Sequence, residues 1–270
     1  MSCVSHHETA DELMRFRLGG QVALIAGGAG GIGYRAALAL ASVGAEVMLV
    51  GRGEAALQRA RTELRARGLS VEMVSGDMTS MPQADRVVAA TMQQFGRLDV
   101  LVNAIGGGAG TALFPAEDYP EADWDRIFDL NLRTALCTSQ AAARAMIEGR
   151  AGGRILNVSS VRGQLGIDAG YSAYVAAKGA LDALTRQHAT EWARHGIRVN
   201  TIAPTFVRTP QVESLLADRE FYERLTSRIP LGRVAETDDL VGAVLFFCSE
   251  ASAFVSGQIL TLDGGLTACQ

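Results

Sequence analysis

Short, nearly continuous apolar runs alternate with longer stretches of helical periodicity along this chain. Residues 21–26, 46–50, 71–74, 98–102, 154–158, 197–201 and 258–262 form seven such runs. Between them, 31–43, 54–67, 82–95, 123–148 and an alanine-rich stretch ending near residue 194 carry apolar residues at helical spacing, as does 237–249 before the last run. Strands that are apolar without alternation are expected where helices cover both faces of a sheet. Regular strand–helix alternation predicts parallel pairing, and right-handed crossovers then restrict the topology. The expected architecture is α/β: a doubly wound sheet of seven mostly parallel strands with helices on both faces. It forms a single domain over residues 19–270, after a flexible polar N-terminal arm at 1–18. Pro82 suits the first turn of its helix, and Thr237 reads as an N-cap with Asp238 and Asp239 behind it.

Composition narrows the function classes. A chain of 270 residues, 48% of them hydrophobic, suits one large α/β domain. A net charge of −4 with no basic tract argues against nucleic acid and against an anionic membrane surface. No apolar run approaches about 18 residues, so no membrane-spanning helix is expected. The N-terminal residues His6, His7, Glu8, Asp11 and Glu12 lack a basic-then-apolar targeting pattern. The cysteines Cys3, Cys137, Cys248 and Cys269 are scattered with no C-x-x-C pair. They read as reduced thiols of a cytoplasmic protein, not as a disulfide frame or a metal site.

The first candidate chemistry follows the first strand. Gly27-Gly28-Ala29-Gly30-Gly31-Ile32-Gly33 stands between that strand and a helix, with a second strand after it. Strand, glycine turn, helix, strand is the unit that binds dinucleotides. The glycines permit a tight turn and close backbone approach, and the helix N-terminus points unpaired N–H groups at phosphate. The second strand ends at Val50-Gly51-Arg52. A carboxylate near this place would hold the ribose 2′-hydroxyl of NAD. Glycine leaves space there, and the Arg52 guanidinium suits a 2′-phosphate. NADP(H) is therefore expected over NAD(H), with an ordinary surface arginine as the alternative.

The second candidate chemistry is Tyr174 and Lys178, four residues apart in the alanine-rich helical stretch and so on one face. A phenol titrates near about 10, and a neighbouring positive charge favours its ionised form. Ser160 ends the fifth strand, fourteen positions before Tyr174. Ser160, Tyr174-x-x-x-Lys178, the glycine spacing Gly27-x-x-x-Gly31-x-Gly33 and the C-terminal Asp263-Gly264-Gly265 together resemble the short-chain dehydrogenase/reductase family, over roughly residues 19–268. The resemblance implies a Rossmann-like fold with Asn131, Ser160, Tyr174 and Lys178 as the catalytic set. Tyr174 would be general acid or base, Lys178 would lower its pKa, Ser160 would hold the substrate oxygen, and Asn131 would anchor a relay water. It also implies cofactor contacts at Gly27, Gly31, Ile32, Gly33, Arg52, Asp77, Met78, Asn103, Tyr174, Lys178, Val207 and Thr209, and no metal. The chain departs from the family pattern at Ala26, Ala104, Ile105 and Thr205, and by one residue in the Ser160–Tyr174 gap.

The implied reaction is hydride transfer between a nicotinamide and a carbonyl or secondary alcohol. Thr205, in place of a glycine, points to sugars, polyols or small cyclic ketones. A 3-oxoacyl-thioester reductase and a non-catalytic nucleotide-binding protein are the alternatives. Residues 107–110 are expected to form a mobile loop near the site and 205–230 a lid over the substrate. Arg208 is either an anion contact or solvated. Tyr171 lacks a cationic partner four places on and is expected to line the pocket. The resemblance also implies a homotetramer or homodimer.

Overall fold

The computed structural model describes residues 12–167 and 170–268. Among these, seven parallel strands form one sheet in the order β3-β2-β1-β4-β5-β6-β7. The strands are β1 (Val22–Ala26), β2 (Glu46–Gly51), β3 (Val71–Ser75), β4 (Val100–Asn103), β5 (Gly153–Val158), β6 (Ile197–Pro204) and β7 (Ile259–Leu262). β1 and β4 are buried along their whole length, which is why their sequences do not alternate. The helices are α1 (Gly31–Ser42), α2 (Glu54–Ala66), α3 (Met81–Phe95), α4 (Glu121–Phe128), α5 (Thr134–Gly149), α6 (Ser172–Trp192), α7 (Glu213–Leu216), α8 (Arg219–Thr226) and α9 (Val241–Cys248).

Two apolar cores flank the sheet. One gathers Ile25, Leu40, Leu49, Leu57, Leu64, Val102 and Phe247, and the other gathers Leu24, Val87, Leu101, Ala142, Met146 and Ile155. Alternate residues of β1 thus feed opposite cores, as the pleat requires. Of the expected N-terminal arm, residues 1–11 lie outside the described residues. Leu18, its last residue, is fully buried in the first core, and its N–H donates to Val43 O at 2.9 Å.

Three local expectations are corrected. The helix expected over 123–148 is α4 and α5 joined by a π-helical turn, Asp129–Arg133. This extra residue in the turn disrupts the regular i→i−4 ladder at Asn131, where the side chain takes up a backbone carbonyl. The helix expected from Thr237 starts as a 3₁₀ turn, Thr237–Leu240, whose N-cap is Glu236. Glu236 and Asp239 cap one another reciprocally, with Glu236 N–H donating to Asp239 Oδ2 at 2.7 Å. The sixth strand runs on to Pro204, paired with β7 to Leu262.

The strand order reverses between β1 and β4, and the chain departs from these two neighbours to opposite faces. The resulting crevice at the carboxyl ends of the strands is where ligands bind in such sheets.

Candidate active site

The glycine loop opens on this crevice. Gly27 has φ +86, and a Cβ there would stand 2.8 Å from Ala104 O. A Cβ on Gly33 would fall 2.2 Å from Gly27 O. Any side chain at either place would push the turn open, so the cradle depends on glycine. The α1 N-terminus has no side-chain cap and no acidic residue in its first turn. Its N–H groups at Gly31, Ile32 and Gly33 are thus unclaimed by a side chain and suit a phosphate. A Cβ on Gly31 would lie 2.7 Å from Thr209 Cγ2, so the segment after β6 closes over the same helix end. Val207, beside it, is 5% exposed and bridges to Ala235. Thr205 Oγ1 is buried without a hydrogen-bond partner. A buried donor without a partner is unfavourable unless a ligand satisfies it.

Farther along the crevice, Arg52 is exposed just past β2 and makes no ion pair among the described residues. A Cβ on Gly51 would meet nothing closer than Leu57 Cδ2 at 3.9 Å. Asp77 Oδ1 accepts from Thr79 N–H at 3.0 Å and from the Thr79 hydroxyl at 2.9 Å. The Thr79 backbone bond, with the Thr79 hydroxyl and the Arg52 charge, holds the Asp77 carboxyl below the usual range. Met78, which follows it, is buried in the second core. The Asn103 side chain is likewise taken up within the fold. Its Nδ2 donates to Ser139 Oγ at 2.9 Å and to Asn157 Oδ1 at 2.8 Å, and its Oδ1 accepts from Thr138.

The chemical centre lies across β4 and β5. Lys178 is 3% exposed, and its Nζ donates to Val158 O at 2.9 Å and lies 5.7 Å from the Tyr174 ring centroid. A Cβ on Gly106 would stand 3.0 Å from both Lys178 Nζ and Asn131 Oδ1, so the β4 loop passes directly over both groups. Asn131, fully buried in the π turn, donates from Nδ2 to Gly107 O at 2.9 Å and to Ile127 O at 3.0 Å. Its Oδ1 accepts from Gly107 N–H at 2.9 Å. Residue 107 is therefore held on both backbone groups. Both Asn131 Nδ2 hydrogens are used, so its side chain organises the loop that overlies the lysine.

Ser160 stands near enough to the Tyr174 hydroxyl to favour its ionised form, and its Oγ accepts from Arg162 N–H at 3.1 Å. Serine, tyrosine and lysine are thus brought together as the motif spacing implied. The electrostatics differ from expectation. Burial raises the Tyr174 pKa, and this outweighs the lowering by Ser160 and the Arg162 charge. Lys178 is itself pushed down to about 8 by burial, against an opposing pull from Asp182. Proximity on one helix face did secure the pairing. Desolvation, which spacing does not report, decides the sign.

Two charged residues and a group of aromatic rings near this centre carried no sequence signal. Asp182 is 4% exposed one turn beyond Lys178, its carboxyl raised by burial. Arg162 is 8% exposed two residues past Ser160. Phe114, Tyr119, Trp124 and Phe128 form a ladder of ring contacts with centroids 4.9–5.9 Å apart, and these rings and Tyr174 pack against the same small cluster of Ala112, Ile127 and Ala173. Tyr171 lines the adjoining cleft of about 650 Å³, with Phe114, Glu117, Gly166 and Val175. A slightly larger cavity, about 670 Å³, lies at the amino ends of the strands around Arg154 and Arg198, away from the chemistry. Arg208 pairs with Glu236 at 3.0 Å and faces water. Among the described residues no cluster of side chains is built to hold a metal, and no helix is long and apolar enough to cross a membrane.

Comparison with known proteins gives the same picture. A family model described as enoyl-(acyl carrier protein) reductase matches residues 27–267. A gluconate 5-dehydrogenase of Gluconobacter oxydans is 39% identical over 252 residues, covering 93% of this chain and 96% of the relative. The crystal structure of a short-chain type dehydrogenase/reductase from Mycobacterium marinum is 34% identical, with a TM-score of 0.90 over 96% of this chain and 100% of that one. A gluconate 5-dehydrogenase from Burkholderia cenocepacia, solved in complex with NADP and tartrate, is 34% identical with a TM-score of 0.90, over 96% and 99% of the two chains. With Ser160, Tyr174 and Lys178 assembled beside a glycine-lined crevice, this chain belongs to the short-chain dehydrogenase/reductase family of oxidoreductases.

Proposed function

We propose that the protein is an NADP(H)-preferring oxidoreductase that interconverts a secondary alcohol and a carbonyl on a polyhydroxylated or small cyclic substrate. The observation that carries this reading is the gathering of Ser160, Tyr174 and a buried Lys178 at the carboxyl edge of the sheet, with Lys178 Nζ 5.7 Å from the Tyr174 ring centroid and bonded to Val158 O at the end of β5. The glycine cradle, the uncapped α1 N-terminus and the unpartnered Thr205 hydroxyl fit a dinucleotide. Gly27, Gly31, Ile32 and Gly33 would hold its phosphates, Asp77 and the Met78 backbone its adenine end, and Val207 and Thr209 its nicotinamide end. When bound, it supplies or takes up the hydride.

The chain's own residues move the proton. Tyr174, protonated in the resting site, donates to the substrate oxygen in reduction and receives that proton in oxidation. Ser160 holds and polarises the same oxygen. Lys178, near its own titration point at about 8, exchanges protons with the path that serves Tyr174. Asn131 keeps that path in place by fixing Gly107, next to the Gly106 that overlies the lysine.

NADP preference is supported by an exposed Arg52 that makes no ion pair among the described residues, beside a Gly51 that leaves room for a 2′-phosphate. The NADP in the Burkholderia relative supports it too. The reading places residues 205–230, including α7 and α8, as the cover of the substrate. It includes self-association through edges such as β7, where Leu260 is 39% exposed. A cytoplasmic setting is supported by the free, buried thiols of Cys137 and Cys248. Steady-state kinetics with NADPH and NADH, over a panel of sugar acids, alditols and cyclic ketones, test the whole. The expected result is turnover with at least about tenfold higher kcat/KM for NADPH, the equivalent of one charge-assisted hydrogen bond. A clear preference for NADH would reduce Arg52 to a surface residue, and absence of turnover across the panel would remove the substrate assignment.

A further inference from the structure

The substrate side of the site holds a charge that the proton and hydride chemistry does not use. Arg162 lies in the turn Val161–Gly163 and is 8% exposed. Its Nη1 donates to Gly166 O at 3.0 Å, and Gly166 lines the cleft beside Tyr171. No carboxylate among the described residues pairs with it. The Gly166 bond sets the charged head against the wall of the cleft that Gly166 and Tyr171 line, and Tyr171 and Tyr174 both contribute to its electrostatic surroundings.

Arg228, in the segment after α8, adds a second positive charge near the first and lowers the Arg162 pKa. It too has no acidic partner among the described residues. Other arginines with strongly covered side chains or near neighbours in sequence are paired. Arg154 and Arg198 share Glu250, Arg97 has Asp99, and Arg208 has Glu236. Burying an unpaired charge is unfavourable, and a guanidinium does not escape by losing its proton. A negative charge brought from outside the fold, at the cleft that Gly166 and Tyr171 line, would satisfy it.

We propose that Arg162 is a specificity-determining residue that binds a carboxylate of the substrate, with Arg228 as an outer contact, so that the enzyme acts on hydroxy and keto acids ahead of neutral polyols. This rests on the oxidoreductase reading above and deepens it. A planar guanidinium fork matches a carboxylate through two parallel hydrogen bonds, and Lys does not reproduce that match.

Two measurements test it separately from the reaction. The first is calorimetry on the wild type and on Arg162→Met, each saturated with NADP, titrated with tartrate and with its neutral counterpart threitol. Tartrate is expected to bind the wild type at least tenfold more tightly than threitol, and Arg162→Met to remove most of that difference. Arg162→Lys should keep only part of it. Equal binding of tartrate and threitol to the wild type overturns the proposal without recourse to any variant. The second is wild-type kcat/KM for D-gluconate against D-glucitol, whose ratio should exceed ten and fall tenfold to a hundredfold in Arg162→Met. An equal fall for both substrates would make Arg162 structural. Tartrate binding without turnover of any substrate would sink the oxidoreductase reading alone. Turnover without a carboxylate preference would sink this inference alone.

Discussion

Lys178 offers the most quantitative test, because its burial makes stability depend on pH in a set direction. In the unfolded chain the ammonium titrates near 10.5, and in the folded protein its pKa is pushed down to about 8. Below pH 8 both states are protonated, and the fold carries the full penalty of an ammonium it disfavours. Between 8 and 10.5 the folded protein releases the proton first, so the unfolded state binds more protons and stability rises with pH. The full penalty is about 3 kcal/mol at about 1.36 kcal/mol per pKa unit, of which roughly 2 kcal/mol is relieved between pH 7 and 9.5. The assay is urea unfolding of the cofactor-free wild type and of Lys178→Met at several pH values across that range. The loss of the hydrogen bond to Val158 O shifts the variant by a nearly constant amount and cancels from the slope. Tyr174, its pKa raised, stays protonated throughout and does not mimic the effect. The wild type should gain about 2 kcal/mol relative to the variant as pH rises. Parallel curves would refute the buried-ammonium account.

Other expectations follow from the same geometry. Tyr174→Phe should keep the fold and cofactor binding by circular dichroism and fluorescence titration while lowering turnover about 10²–10⁴-fold. Tyr171→Phe should be far milder, and the reverse ranking would transfer the acid role to Tyr171. Arg52→Ala should erase most of any NADPH preference by raising KM for NADPH with little change for NADH, and Gly51→Asp, sterically free at its Cβ, should favour NADH when combined with it. Asn131→Ala removes three hydrogen bonds around Gly107 and Ile127 and should destabilise the protein by about 2–4 kcal/mol in urea unfolding. Alcohol oxidation, which needs the Tyr174 phenolate, should accelerate toward alkaline pH while carbonyl reduction slows; a flat profile with rate-limiting chemistry would contradict the assignment.

Much of this was legible in the sequence because burial on both faces leaves an unmistakable pattern. β1 and β4 had to be continuous apolar runs, and Gly27 and Gly33 had to be glycine. What escaped is of three physical kinds. The π turn at Asp129–Arg133 has the composition of ordinary helix, and only the misplaced asparagine at 131 hinted at it. The cap at Glu236 lost to Thr237 in the sequence reading because threonine has the stronger intrinsic preference, whereas the reciprocal pair with Asp239 is a property of the folded turn. The charges of Arg162, Lys178 and Asp182 could be counted but not weighed. Their behaviour is set by depth, and depth is a tertiary quantity.

The chain of side chains that absorbs Asn103 continues beyond it. Asn157 Nδ2 donates to Thr185 Oγ1 at 2.9 Å, and Thr185 meets Thr201 at 2.7 Å. This single relay ties β4, β5 and β6 to α5 and α6, the same five elements that carry or adjoin Ser160, Tyr174 and Lys178. Because each member satisfies its neighbour, none can leave without orphaning the next. Amide hydrogens across this block should therefore exchange together, near the free energy of complete unfolding, while those of the exposed Glu213–Leu216 and Arg219–Thr226 helices exchange far sooner. The protein would then be able to loosen its substrate-side cover many times over, admitting and releasing molecules, without its proton-transferring groups ever losing register.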